Sequence, residues 1–260
     1  MDFPAPSLVF STAPFFRRPV REAMETAARA GFEGVEVMVS KDPDTQDAER
    51  LSELANDYDL RIGAIHAPFL VFTRRVFGTD PVRKVERSVD LAEAVGAPIV
   101  VAHPPYRWQG HYRRWLDTEL PRISHERDVT VAVENMFPLG FAFHGHHRMD
   151  ELARYPDLTL DTSHAAVSGL DLIDVATHHS ERLRHIHLSN NRGRGWDSHL
   201  PVDEGVLPIP EFLESLADQR FTGSISLELD LRRWLADPSA LHEVLVANRR
   251  TCERRLPALA

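Results

Sequence analysis

Nine side chains of metal-ligand type, five histidines and four carboxylates, stand where short apolar runs of this chain end or just beyond. The run IGAIH closes on His66, IVVAH on His103, and VAVEN places Glu134 after three apolar positions. LTLDTSHAA puts Asp161 at its end and His164 three residues on. RHIHLSNN carries His187, GWDSH supplies Asp197 and His199, and SISLELD supplies Glu228. One histidine at the end of an apolar run is more often a hydrogen-bonded polar group than a ligand. The same placement repeated along six successive runs points to a shared ion. Imidazole mixed with carboxylate suits zinc, manganese, iron or cobalt, with zinc the first choice and manganese or iron the alternatives. An ion takes about four to six ligands, so nine groups suit two or three ions. Thiolate ligation is excluded, because the single cysteine, Cys252, lies in a charged helical tail. His185 has the same strand parity as His187, and His187, nearer the run's end, is taken as the ligand. His144, His146 and His147 in FHGHHR are ligand-like in composition but read equally well as a surface loop. Glu36 in GVEVMV is read as a substrate-binding group, a support for a ligand, or a buried polar residue.

Ligands so far apart in sequence need a scaffold that gathers run ends into a ring. Eight Val- and Ile-rich runs supply it: Leu8 to Ser11, Gly34 to Val39, Arg61 to His66, Pro98 to His103, Val129 to Glu134, Leu158 to Asp161, Arg184 to Leu188 and Ser224 to Glu228. Between them lie stretches with helical spacing of apolar residues, such as Pro19 to Ala30, Asp47 to Tyr58 and Pro81 to Val95. Gly31 and Gly96 fall at helix C-caps, and Pro19, Pro81 and Pro238 near helix starts. Alternating strands and helices predict an α/β parallel sheet. Eight units without a Gly-rich phosphate fingerprint favour closure into one (β/α)8 TIM barrel over an open doubly wound sheet. The 260 residues match one such domain over 1–260, and no linker divides them.

Composition sets the setting. With 43% apolar and 27% charged residues the chain reads as an ordinary globular protein, folded throughout. No stretch has the length or apolarity of a membrane span or secretory signal, so the expected location is cytoplasmic. A net charge of −9 argues weakly against non-specific nucleic-acid binding.

With these residues in place, the sequence resembles the xylose-isomerase-like barrel superfamily, which includes sugar and sugar-phosphate isomerases and epimerases and the endonuclease IV branch (AP endonuclease family 2). The similarity spans nearly the whole chain. Glu134, Asp161, His187 and Glu228 match the single-metal set of the ketose epimerases. His66, His103, His164, Asp197 and His199 complete the set that holds three zinc ions in endonuclease IV, and HAPFL, LDTSHAAVSGLDL and HLSNN resemble its signatures. The resemblance implies that His66, His103 and Glu134 share one ion, that Glu134, Asp161, His187 and Glu228 hold a second, and that His164, Asp197 and His199 hold a third. Three departures bear on substrate. Ser163 stands where the repair enzymes usually carry cysteine, Ala166 lies near a position they often fill with an aromatic, and no counterpart of their base-stack arginine is identified.

Loop composition points to an anionic substrate. Residues 67–79, 104–116, 135–149 and 188–196 contain no Asp or Glu but eight arginines, among them Arg107, Arg192 and Arg194. Arginine's fork matches phosphate oxygens, so these three are read as substrate-binding, for a small phosphorylated molecule or DNA. Tyr106, Trp108, Tyr112 and Trp115 either stack on substrate or pack a helix on the barrel. The preferred expectation is multinuclear hydrolysis of a phosphate ester or phosphodiester, with Glu134, Glu228 and His164 as catalytic residues. The alternative is single-metal isomerisation or epimerisation through an enediolate, Glu134 and Glu228 acting as acid and base and His164 binding substrate. A non-catalytic metal-binding scaffold is the third and weakest reading.

Overall fold

The computed structural model describes residues 6–69, 73–138, 148–193 and 195–256. Eight strands follow the eight apolar runs to within a residue at either end: β1 (Ser7–Ser11), β2 (Gly34–Met38), β3 (Arg61–His66), β4 (Ile99–Ala102), β5 (Thr130–Glu134), β6 (Leu158–Asp161), β7 (Leu183–Leu188) and β8 (Ser224–Leu227). All neighbours pair in parallel, and β8 pairs with β1, so the sheet closes in the order β1 to β8. The chain is therefore a single closed α/β barrel, as its alternating pattern predicts.

The returning segments include helices α1 (Val20–Arg29), α2 (Ala48–Asp57), α3 (Pro81–Val95), α4 (Gly110–Glu126), α5 (Met149–Leu152), α6 (Thr162–Val167), α7 (Leu172–His178), α8 (Ile209–Asp218) and α9 (Pro238–Arg255). Their starts follow from local chemistry. Asp47, Asp80, Asp171 and Asp237 accept hydrogen bonds from the first free N–H groups of α2, α3, α7 and α9. Helix α3 ends on Gly96, whose φ of 73° suits glycine. Apolar helix faces and outward-facing strand residues such as Phe10, Ile65, Val100 and Val133 form one continuous core between sheet and helices. Among the described residues no helix is long and apolar enough to cross a membrane.

Strand alternation explains how the site is built. Ala64, Val101 and Ala132 belong, with Ile99, to a small separate apolar cluster, which the alternation places inside the barrel. Two residues further along the same strands, with the same inward parity, stand His66, His103 and Glu134. The same step leads from Thr159 to Asp161, from His185 to His187 and from Ser226 to Glu228. The lower layer is thus apolar beneath strands β3 to β5 and polar beneath β6 to β8. In β2 the register against β3 shifts between Val35 and Glu36, so that Glu36 pairs with Ala64 and Gly63 is passed over. A Cβ at Gly63 would meet Val9 Cγ1 at 2.9 Å, so glycine permits this irregularity, which sets the position of Glu36 in the barrel.

Candidate metal centre

The central cluster is organised around the ring of His187. Its Nδ1 lies 2.8 Å from Glu134 Oε1, 3.1 Å from Glu228 Oε2 and 3.8 Å from Asp161 Oδ2. One ring nitrogen carries at most one proton, so it cannot serve three carboxylates. Glu134 Oε2 lies 2.8 Å from His103 Nε2 and 3.8 Å from His66 Nε2, yet it accepts no hydrogen bond, and neither does Asp161 Oδ2. Both atoms are buried. A buried carboxylate oxygen without a donor costs several kcal/mol unless a cation compensates it. Close approach without hydrogen-bond direction is what a shared ion produces, so this donor set fits a divalent cation. His66, Glu134 and His187 form one group with ligand atoms within 4.8 Å of one another, and Asp161, His187 and Glu228 form a second.

Several of the remaining polar atoms of these side chains are tied down by the fold, whereas His103 Nδ1 is buried without a partner. Asp161 ends β6 and is also the N-cap of α6, its Oδ1 accepting the His164 N–H at 2.7 Å; Oδ2 is left for the centre. Asn135 clamps the same residue, accepting from the Asp161 N–H at 2.6 Å and donating to its carbonyl at 3.0 Å. The far nitrogen of His187, Nε2, lies 3.1 Å from Glu36 Oε2. Glu36 Oε2 also lies 2.6 Å from His185 Nε2, and His185 Nδ1 lies 2.9 Å from Ser224 Oγ. Glu36, His185 and His187 are all fully buried.

A second cluster lies beside the first. Asp197 Oδ2 is 2.7 Å from His199 Nε2 and 3.2 Å from His164 Nε2, while Asp197 Oδ1 accepts from Ser163 Oγ at 2.5 Å. Asn191 donates to Ser163 Oγ at 2.8 Å. His164 Nδ1 lies 2.8 Å from the Asn135 carbonyl, and His199 Nδ1 lies 3.2 Å from Ser189 Oγ. His199 has a φ of 40°, a conformation uncommon in non-glycine residues but one that histidine, like asparagine and aspartate, adopts more often than most. Asp161, His164 and His199 present ligand atoms within 4.8 Å of one another.

Proximity perturbs these groups strongly. Burial would raise the pKa of Glu134, but the His103 and His187 charges outweigh it and hold the carboxyl well below its usual range. Glu36 is likewise held low by His187 and His185 against the effect of burial. Burial pushes Asp161 up to about 6, with His164 and His199 opposing. Burial alone would lower His164, yet Asp161 and Asp197 raise it to about 10. His187 and His199 are raised well above the ordinary imidazole value for the same reason, by Glu36, Glu228 and Glu134 and by Asp197 and Asp161 respectively. Burial lowers His103 and His185.

The centre opens into a cleft with a cavity volume of about 360 Å³. Eight of the nine expected ligands line it, and His187 lies beneath, fully buried. Other expected site residues fall elsewhere. Glu36 does not reach the cleft; at 0% exposure it supports His187 from below, which excludes direct contact with a substrate in the cleft. Arg107 and Arg192 are exposed and do not line the cleft. Arg194, His144, His146 and His147 lie outside the described residues. The aromatic loop divides: Tyr112 is buried and donates to the His103 carbonyl at 3.0 Å, Trp115 packs on the core, Tyr106 lines the cleft and Trp108 is exposed. Sequence reasoning overlooked the cleft walls, Phe16, Met38, Phe69 and Phe137, and the one arginine at its rim among the described residues, Arg232, which pairs with Asp230 at 2.5 Å. Met38 was legible, since it follows Glu36 at the inward parity of β2.

A closed eight-stranded parallel barrel with His, Glu and Asp clusters at the C-terminal strand ends defines a TIM barrel with a metal-type centre. The chain belongs to the xylose isomerase-like TIM barrel family, whose model matches residues 24–247. An uncharacterized protein of Mycobacterium tuberculosis (strain H37Rv) is 34% identical over 250 residues, covering 87% of this chain and 89% of the relative. Among solved structures, D-allulose 3-epimerase from Methylomonas sp. in complex with D-allulose matches with a TM-score of 0.71 at 18% identity, over 98% of this chain and 99% of that one. An AP endonuclease, family 2, from Brucella melitensis matches with a TM-score of 0.68 at 18% identity, over 89% and 99%. At these identities the likeness to the solved structures is one of fold.

Proposed function

We propose that this protein is a divalent-metal-dependent isomerase or epimerase of a sugar or sugar derivative, with zinc or manganese held by Glu134, Asp161, His187 and Glu228. The observation that carries this reading is the asymmetry between the two clusters. In the central one, Glu134 Oε2 and Asp161 Oδ2 have no protein donor. In the outer one, both Asp197 oxygens are met by Ser163, His164 and His199. The central site thus calls for one ion, and the outer one is compensated by its own side chains. The cleft agrees with a small polyhydroxylated substrate. Its walls are apolar and aromatic, and among the described lining residues its one Lys or Arg side chain, Arg232, is already paired. The fold shared with D-allulose 3-epimerase adds support.

A bound divalent ion supplies Lewis-acid polarisation of the substrate's carbonyl and neighbouring hydroxyl oxygens. Glu134, from β5, and Glu228, from the end of β8, approach the centre from different sides of the barrel. One carboxylate removes the proton from the carbon beside the carbonyl, and the C–H electron pair passes into an enediolate. The other, protonated, returns a proton to carbon, on the opposite face for epimerisation. His164, its ring nitrogens turned to the Asn135 carbonyl and Asp197, lines the cleft and presents its positive charge to substrate oxygens.

A specific observation favours hydrolysis of a phosphate ester as the second reading. Asp161, His164 and His199 also form a ligand group, and a third ion there would suit phosphoryl chemistry. The test is incubation of manganese- or zinc-loaded protein with D-allulose, D-tagatose and D-fructose in deuterated water, followed by NMR. Deuterium should enter beside the carbonyl, and Glu134→Gln and Glu228→Gln should each slow entry by about 10²–10⁴-fold. Absence of exchange with all three ketoses, together with hydrolysis of a phosphodiester, would overturn the isomerase in favour of the hydrolase.

A further inference from the structure

An aromatic wall leads out of the cleft on the side of His103. Phe69 lies 4.3 Å from the His103 ring and 4.9 Å from Tyr106, and Tyr106 stacks on Trp108 at 4.8 Å with 12° between planes. Phe69 and Tyr106 belong to the cleft and also to an adjoining hollow, which Trp108, Gln109, Arg74, Thr79, Pro81 and Lys84 complete. Trp108 is 64% exposed, so a large apolar ring is held in water at the outer end of a path that begins at a candidate ligand. Polar groups face the same hollow. Gln109 Oε1 accepts from the Tyr106 N–H at 2.9 Å, which leaves its amide nitrogen as the free donor, and Arg74 and Thr79 add further donors. Aromatic faces flanked by a few hydrogen-bonding groups suit a pyranose ring, with an apolar C–H face and a polar rim. The other exposed tryptophan, Trp196, 68% exposed, meets Phe137 of the cleft wall edge-on at 6.4 Å and has no comparable stack or hollow among the described residues.

We propose that Phe69, Tyr106 and Trp108 form a second-ring subsite, taking the sugar ring joined through a glycosidic bond to the one held over the metal ligands. The substrate class is then a glycoside or disaccharide rather than a free monosaccharide, which rests on the sugar isomerase reading. Trp108 is a binding residue and takes no part in proton transfer.

Calorimetric titration of manganese-loaded protein tests this with D-fructose and two keto-disaccharides of different linkage, lactulose and isomaltulose. At least one disaccharide should bind about 10-fold more tightly than D-fructose, the size of one good aromatic contact, and Trp108→Ala should bring that ratio close to one. Because Trp108 is exposed, its loss leaves the barrel core intact. Equal binding of all three sugars overturns the subsite and leaves the sugar reading standing. If neither D-fructose nor the disaccharides bind, the sugar reading falls and the subsite with it. Trp108-dependent binding of a short oligothymidine without a disaccharide preference overturns the subsite in favour of nucleobase stacking.

Discussion

Replacing Glu36 by glutamine should weaken metal binding without touching a single proposed ligand. Glu36 is fully buried, and its Oε2 meets both His187 Nε2 at 3.1 Å and His185 Nε2 at 2.6 Å. For His187 to offer Nδ1 to an ion, its proton must reside on Nε2, and a carboxylate facing Nε2 stabilises that tautomer. Glutamine keeps the shape and one acceptor oxygen but removes the charge. Hydrogen bonds to charged groups contribute about 1.5–3 kcal/mol against about 0.5–1.5 for neutral ones, so each contact loses roughly 1–1.5 kcal/mol. With the His187 contact counted fully and the His185 contact in part, the loss is about 1.5–2.5 kcal/mol, or roughly 10- to 60-fold in the dissociation constant. That falls in the range of about 10–100-fold typical of groups that orient a metal-bound imidazole. The assay is competition with a chromophoric chelator at neutral pH, alongside circular dichroism to establish that the barrel is folded. A folded Glu36→Gln protein whose affinity changes less than about threefold would refute the argument that Glu36 sets the His187 tautomer.

Metal uptake by chelator-treated protein should release protons at pH 7.5, because His164, raised to about 10, and His187 and His199, raised well above the usual imidazole value, hold protons there against burial. Calorimetry in two buffers of different ionisation enthalpy should give at least one proton released per ion, with affinity rising with pH; a net release of zero would contradict the electrostatics. The same raised pKa values stabilise the metal-free fold fully below about pH 6.5, and that stabilisation fades as pH climbs through the folded-state values, near 10 for His164. Chelator-treated protein should therefore lose more stability between neutral and alkaline pH than loaded protein, as read by thermal melts. Lys84 titrates in the opposite sense. Burial lowers its pKa to about 8 while its ammonium donates to the Thr73 and Val76 carbonyls. Between about 8 and the unfolded value of about 10.4 the unfolded chain binds the extra proton, so this residue's contribution rises with pH. The urea-midpoint gap between wild type and Lys84→Met should widen from pH 8 to pH 10, and a constant gap would exclude a depressed Lys84.

Alternation along strands made much of the centre legible. A small or apolar residue two places before each of His66, His103 and Glu134 marks the inward face, and the same rule carries from Thr159 to Asp161. Parity does not report depth. His185 and Glu36 share the inward parity, yet one lies a layer below His187 and the other is positioned by a register shift at Gly63, and neither property has a local sequence signal. Loop composition leaves the placement of a side chain open for a related reason. Arg107 and Arg192 are close in sequence to the strand ends but exposed to solvent, because a loop residue's direction depends on turns that composition leaves open. Aromatic residues from different loops, Phe16, Phe69 and Phe137, form the cleft walls, and no spacing links them.

The same nine ligand-type residues accompany either chemistry, so the distinction lies in which oxygens still need a cation. Asp197 is satisfied on both oxygens, and through Ser163 and Asn191 its environment is an ordered protein network. Filling the outer site with an ion would require two imidazoles, His164 and His199, to give up protons that their carboxylate neighbours hold strongly, whereas the central site asks this of His187 alone. In the central site an ion would gain Glu134 Oε2 and Asp161 Oδ2 without displacing any hydrogen bond to those atoms. On the proposed reading the first ion enters the centre, and the outer cluster fills only at higher metal concentration or higher pH. An enzyme needing one ion is complete at the first step, whereas one needing three must work against the proton competition of the outer cluster. This ordering, more than the number of ligands, places the isomerase ahead of the hydrolase.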